Sequence, residues 1–275
     1  MTDLLFANLP LGDLVLAFAL CLIVSSLGFR RTDWFISLGY GFSIAAQALV
    51  FPLLHLPVLS AWSVAQALLL LIYGLRLGLY LMARERSPSF ARELAASKER
   101  SLHIKGAVKV AIWVSVAALY VAMFAPALLT LTAGPAAAAS PALPLGVLVM
   151  VLGLGLEAAA DWQKARFKAL NPSRFVGKGL FAIVRCPNYF GEMLFWLGAF
   201  VSGIAAYQSL ADWLIAGIGL VCIELIMLGS ARRLELKQAE RYGTDATYQA
   251  YVRATPVLFP LLPLYSLRGL KVYLG

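Results

Sequence analysis

An all-α, polytopic membrane protein with seven transmembrane helices is predicted by three observations. Apolar runs long enough to cross a bilayer recur along the chain, charged residues are scarce, and the basic ones fall in alternate connections. Of the 275 residues, 61% are hydrophobic and 13% charged, against about a quarter charged in a soluble domain. Mean hydropathy is +0.81. A helix crosses a roughly 30 Å hydrocarbon layer with about 20 apolar residues. The chain lacks the alternating segments of about ten residues that build a transmembrane β-barrel, and its composition excludes a soluble Rossmann enzyme, a disordered chain and a secreted disulfide scaffold.

The spans read 11–29, 35–56, 61–83, 107–132, 144–162, 189–207 and 211–231, with a tail at 232–275, and make one seven-helix domain over 1–275. The first begins near Leu11 without a basic segment or a small-residue cleavage motif, which predicts a retained helix and not a cleaved signal. Pro52 and Pro57 bracket a short cap after the second span, and the Ala/Pro stretch 133–144 caps the fourth. No internal repeat is visible.

The connections after spans 2, 4 and 6 contain no Lys or Arg, whereas those after spans 1, 3, 5 and 7 hold Arg30 and Arg31, Arg84 to Lys105, Lys164 to Arg185, and Arg232 to Lys271. Cytoplasmic connections collect basic residues, so the N-terminus is predicted outside and the C-terminus in the cytosol. The net charge of +9 is thereby an orientation signature that implies contact with membrane lipid and no nucleic-acid partner. Cys21, Cys186 and Cys222 have no paired spacing, and His55 and His103 fall on opposite sides of the membrane. No metal site is expected from them.

Polar groups inside the hydrocarbon are costly and mark functional candidates. Tyr73, Arg76, Tyr80 and Arg84 follow at intervals of three, four and four, on one helix face. The alternative is two interfacial aromatics with snorkelling arginines, but Tyr73 is about 16 Å from Arg84 along the axis, too deep for an aromatic belt. Gln47, about 20 Å from the cytoplasmic end of its span, can meet Tyr73 at like depth or bond a neighbouring helix. Glu157 and Asp161, one turn apart, repel if both are ionised, and so need donors, a shared proton, an aqueous cavity, or pairing with Lys164, Arg166 or Lys168. Glu224, about 12 Å from Arg232 along its span, is either a functional acid or a neutral hydrogen-bonded carboxyl.

The densest chemistry lies at 171–192. Gly177 and Gly179 permit a turn with exposed amides, while Arg174, Lys178 and Arg185 suit phosphate oxygens. Pro187 starts a helix that carries Asn188, Tyr189 and Glu192. The segment reads as an anion-binding entrance to a polar intramembrane pocket.

The stretch GLFAIVRCPNYFGE at 179–192, with EAAADWQKARF at 157–167 and the tail RYGTDATYQAYVRATPVLFP at 241–260, resembles the C-terminal signature of the steroid 5α-reductase family. Asn188 and Glu192 within PNYFGE carry the resemblance furthest. The shorter R-x-P-x-Y-x-G portion is shared with isoprenylcysteine and phospholipid methyltransferases. The resemblance implies a bacterial homologue, in the cytoplasmic membrane, that reduces the Δ4 double bond of a 3-oxo-steroid with NADPH. It implies that Asn188 and Glu192 hold the nicotinamide and ribose, that Asp161 belongs to the cofactor pocket, and that Lys168, Arg174 and Arg185 meet the phosphates. Glu157, Tyr189, Lys178 and Arg84 complete the candidate cofactor set. Tyr73 matches the tyrosine that hydrogen-bonds the steroid ketone, with Gln47 or Glu224 as its catalytic partner. Two departures stand out: Gln47 is followed by Ala48 where the mammalian enzymes have Gln-Glu, and Glu157 stands where an asparagine is expected.

Reducing an enone builds negative charge on the ketone oxygen, so a donor aimed at that oxygen lowers the barrier. An apolar substrate can enter sideways from the bilayer and the anionic cofactor from the basic side. Two other classes remain open at this level. An S-adenosylmethionine-dependent membrane methyltransferase would not need the phosphate-binding cations, and a transporter using Glu224 and Arg76 would ordinarily carry repeats and broken helices.

Overall fold

A computed structural model describes residues 9–86, 91–134, 137 and 139–274. Parts of the Ala/Pro cap and of the connection after the third span therefore lie outside the described residues. Within them the chain is all helical: α1 Leu11–Ser25, α2 Asp33–Ile36, α3 Leu38–Leu54, α4 Ala61–Glu85, α5 Ala91–Leu102, α6 Gly106–Thr132, α7 Ala142–Leu170, α8 Leu180–Ile183, α9 Pro187–Ser202, α10 Leu210–Tyr242 and α11 Ala246–Ala254. Seven helical segments are long and apolar enough to span a membrane: Leu11–Phe29, Asp33–Leu54, Ala61–Glu85, Gly106–Thr132, Ala142–Leu170, Pro187–Ala206 and Leu210–Tyr242.

Two of these run well past the ends read from hydropathy. The fifth continues to Leu170 and the seventh to Tyr242, rather than stopping near 162 and 231. Residues 163–170 and 232–242 are rich in Gln, Lys, Arg, Glu, Ala and Leu, all good helix formers. Hydropathy marks where the apolar stretch ends; the backbone hydrogen bonds have no reason to stop there.

The chain divides into two compact units, unit 1 comprising Met1–Val147 and Ala199–Leu220, unit 2 comprising Leu148–Gly198 and Val221–Gly275. In unit 1, α3 and α4 form the most extensive helix pair. Ser60 caps α4 by a reciprocal box with Ser63, which ends the tight turn from α3. Backbone meets backbone along this pair: a Cβ on Gly41 would lie 2.8 Å from the Gly74 carbonyl oxygen and 2.9 Å from the Gly78 nitrogen, and one on Gly74 would lie 2.7 Å from the Ala45 nitrogen. This is the small-residue spacing by which membrane helices gain dispersion contact, since lipid offers no hydrophobic drive. The close approach also sets the side chains adjoining the two glycines, Tyr40 and Tyr73, against each other.

Unit 2 uses the same device between α7 and α9. A Cβ on Gly153 would be 2.6 Å from the Gly191 carbonyl oxygen, and one on Gly191 would be 2.6 Å from the Glu157 nitrogen. The two acid-bearing helices therefore touch where Glu157 and Glu192 sit.

Candidate functional site

In unit 1 the tyrosine singled out by depth is fully buried. Tyr73 is 0% exposed, and its hydroxyl pairs with that of Tyr40 at 2.7 Å. Their rings meet edge to face at 6.0 Å, and Tyr40 in turn stacks on Tyr120 at 5.6 Å. The Tyr120 hydroxyl donates to the Phe35 carbonyl at 2.6 Å. Gln47 joins this group from the side: its amide donates to the carbonyls of Ser43 at 3.2 Å and Tyr120 at 3.3 Å, while its Oε1 is buried without a hydrogen-bond partner among the described residues. The Tyr73 hydroxyl thus meets that of Tyr40, and the Gln47 amide meets the backbone of Tyr120. Farther along α4, Arg76 is half-buried, and Tyr80 and Arg84 are exposed.

Unit 2 gathers the acids. Glu157 and Glu192 are buried, at 4% and 7% exposure, and Asp161, Asn188, Tyr189 and Glu224 are half-buried. Glu157 and Asp161 share one face of α7, and Asn188 and Glu192 one face of α9, each pair one turn apart. Glu224 is carried by α10. Ionised carboxylates are pure acceptors, which suits protons and hydroxyl-rich ligands.

The segment ahead of α9 is shaped by the tail. Arg185 and Cys186 donate backbone N–H groups to the Pro256 and Val257 carbonyls, both at 2.9 Å. Phe175 stacks on Tyr251 at 5.2 Å and meets Tyr248 edge-on at 5.3 Å, and the Tyr251 hydroxyl donates to the Phe181 carbonyl at 2.6 Å. Burial pushes the Tyr251 hydroxyl above its usual range and the Cys186 thiol up to about 12, so both stay neutral. Gly179 has φ +62°, a left-handed turn that L side chains disfavour, and the Leu180 amide after it donates to Gln163 at 3.0 Å.

The cations of this segment divide by exposure. Arg185, 4% exposed, is directed inward: it donates to the Tyr265 carbonyl and, at 3.4 Å, to Glu235. Glu235 also accepts the Leu267 amide at 2.7 Å. Lys168 closes the loop, reaching the Arg174 carbonyl and, at 2.9 Å, the Tyr242 hydroxyl. Arg174 and Lys178 are exposed, and Lys178 lines a groove of about 390 Å³ with Gln163, Arg166 and Asn171. Sequence reading missed Tyr40, Tyr120 and Glu235. Tyr40 stands seven residues before Gln47, hence on the same face of α3, which was the available signal; nothing local marks Glu235 as the partner of Arg185. Among the described residues no group of His, Cys, Asp and Glu could hold a metal.

Residues 27–255 match the family model described as Protein of unknown function (DUF1295). Steroid 5-alpha-reductase DET2 of Arabidopsis thaliana is 34% identical over 77 residues, covering 27% of this chain and 26% of that protein. An uncharacterized protein of Schizosaccharomyces pombe is 38% identical over 76 residues, covering 27% of this chain and 21% of its own length. The matched stretches thus span only these minor shares of the curated relatives. No solved structure matches.

Proposed function

The chain belongs to the DUF1295 family of proteins of unknown function, and from that footing we propose that it is an integral membrane reductase that uses NADPH to saturate the conjugated double bond of an apolar, 3-oxo-steroid-like enone. The observation that carries the reading is the Tyr73–Tyr40 hydroxyl pair, 2.7 Å apart and buried, in a helix contact that packing alone would fill with apolar groups. The similarity to a protein named as a steroid 5-alpha-reductase supports the reaction class.

The residues of unit 2 fit a nicotinamide dinucleotide: buried and half-buried carboxylates beside an asparagine suit ribose hydroxyls and a carboxamide, and exposed Arg174 and Lys178 suit phosphates. Bound there, NADPH supplies the hydride. Asn188 and Glu192 orient its polar groups, with Asp161, Glu157 and Tyr189 beside them. Arg185, through Glu235 and the tail, fixes the loop that carries the phosphate-facing cations. Tyr73 donates to the ketone oxygen as negative charge builds on it, and Tyr40, donating to the Tyr73 oxygen, strengthens that donor. The hydride would go to the β carbon, and solvent or Glu224 would supply the proton for the α carbon.

Cofactor binding by the purified protein tests this. Asn188→Ala and Glu192→Gln should each weaken NADPH binding by about 10- to 100-fold, the loss of a hydrogen bond involving a charged or strongly polar group, with the thermal midpoint held. Unchanged affinity in both variants removes the assignment, and S-adenosylmethionine binding in place of NADPH would favour a methyltransferase.

A further inference from the structure

A second cavity, of about 720 Å³, lies within unit 1 at the end where its basic connections emerge. The spans bounding it end or begin at Phe29, Asp33, Glu85 and Gly106, so it sits where the chain leaves the hydrocarbon. Its charges are of two kinds. Arg31, 6% exposed, is spent within the fold: it grips Asp33 with two bonds at 2.7 and 2.8 Å, pairs with Glu85, and lies over the Trp34 ring at 4.7 Å. Glu85 also accepts from the Trp34 indole at 2.9 Å. Arg30, Arg86, Lys98 and Lys109, from four different segments, also line the cavity, and no carboxylate pairs with them among the described residues.

Four cations around one hollow repel one another unless an anion joins them. The remaining wall is apolar, built by Leu38, Met82, Leu94 and Leu102, which calls for an anion attached to hydrocarbon. A nucleotide finds little here. Arg31 already covers the Trp34 ring, and the Ser101 hydroxyl accepts the Thr32 backbone N–H at 2.9 Å and pairs with the Thr32 hydroxyl at 3.0 Å.

We propose that this cavity binds the phosphate headgroup of an anionic glycerophospholipid, with the cations on the phosphate and the upper acyl chains against the apolar wall. This site is independent of the reductase reading.

The full chain, purified in phosphatidylcholine micelles and supplied with phosphatidylglycerol or further phosphatidylcholine, is examined by native mass spectrometry for retained lipid. Wild type should retain phosphatidylglycerol selectively. Each basic residue near a membrane surface is worth about fivefold in affinity for anionic lipid, so the Arg86→Gln/Lys98→Gln/Lys109→Gln variant should lose on the order of 100-fold. Lys98→Gln alone, an exposed change that leaves folding intact, should lose about fivefold and decides the matter if the triple variant is unstable. Equal retention of the two lipids, or undiminished phosphatidylglycerol retention by Lys98→Gln, overturns the proposal. So does displacement of phosphatidylglycerol by equimolar glycerol 3-phosphate, which would assign the cavity to soluble phosphate esters.

Discussion

Replacing Tyr73 by Phe removes one oxygen and nothing else. The ring is 0% exposed and lies at 6.0 Å from Tyr40, and Phe preserves that burial and edge-to-face contact. The hydroxyl lost is 2.7 Å from the Tyr40 hydroxyl, a bond worth about 1 kcal/mol net, so the thermal midpoint should fall by only about 2–4 °C for a chain of this size. If that hydroxyl stabilises the developing oxyanion, its loss costs about 10²–10³ in rate, mainly in kcat because the interaction is made chiefly in the transition state. Tyr40→Phe removes only the support behind the donor and should cost about tenfold, in line with a second hydrogen bond of about 1 kcal/mol. Steady-state NADPH oxidation with a 3-oxo-Δ4 steroid, measured beside a melting curve, reads both effects. Tyr73→Phe with near-normal turnover, or with a stability loss large enough to explain the missing activity, would refute the role given to Tyr73.

The packing and the orientation are open to test in the same preparation. Gly74→Leu drives a side chain into the backbone of α3, whose Ala45 nitrogen would lie 2.7 Å from the new Cβ; it should destabilise by about 3 kcal/mol, the upper end for overpacking. Gly155→Ala on α7, with nothing within 4 Å of its Cβ, should leave stability unchanged, and equal effects of the two would contradict the α3–α4 contact. A reporter placed after Ser140 should be active only outside the cell and one fused after Gly275 only in the cytosol, the reverse pair overturning the orientation read from the basic connections.

Seven helices long and apolar enough to cross a bilayer were legible in the hydropathy, because crossing demands length and apolarity that sequence shows directly. The helices continue past the apolar stretches to Leu170 and Tyr242, since helix propensity and hydrophobicity are separate properties. Tyr73 and Glu157 were legible as polar groups at apolar depth, and both are buried. Their partners were not: the Tyr40 hydroxyl comes from another helix 33 positions away, and only the glycine contact between α3 and α4 brings it there. Arg185 shows the converse. Its place in a loop of cations favoured a phosphate role, yet Glu235, 50 positions on, and the tail carbonyl of Tyr265 draw it inward. A run of basic residues reads alike whether each cation faces solvent or closes the fold.

The most direct test of the reductase account is the product itself. Purified protein is incubated with a 3-oxo-Δ4 steroid and NADPH carrying deuterium at the transferable position, and the steroid is weighed by mass spectrometry. The account predicts NADPH oxidation matched by a saturated ketone that contains one deuterium from the cofactor and one proton from solvent, at the β and α carbons respectively. Unaltered steroid, with cofactor bound by unit 2 at full affinity, would contradict the substrate class. A product heavier by a methyl group when S-adenosylmethionine is supplied would contradict the reductase account altogether.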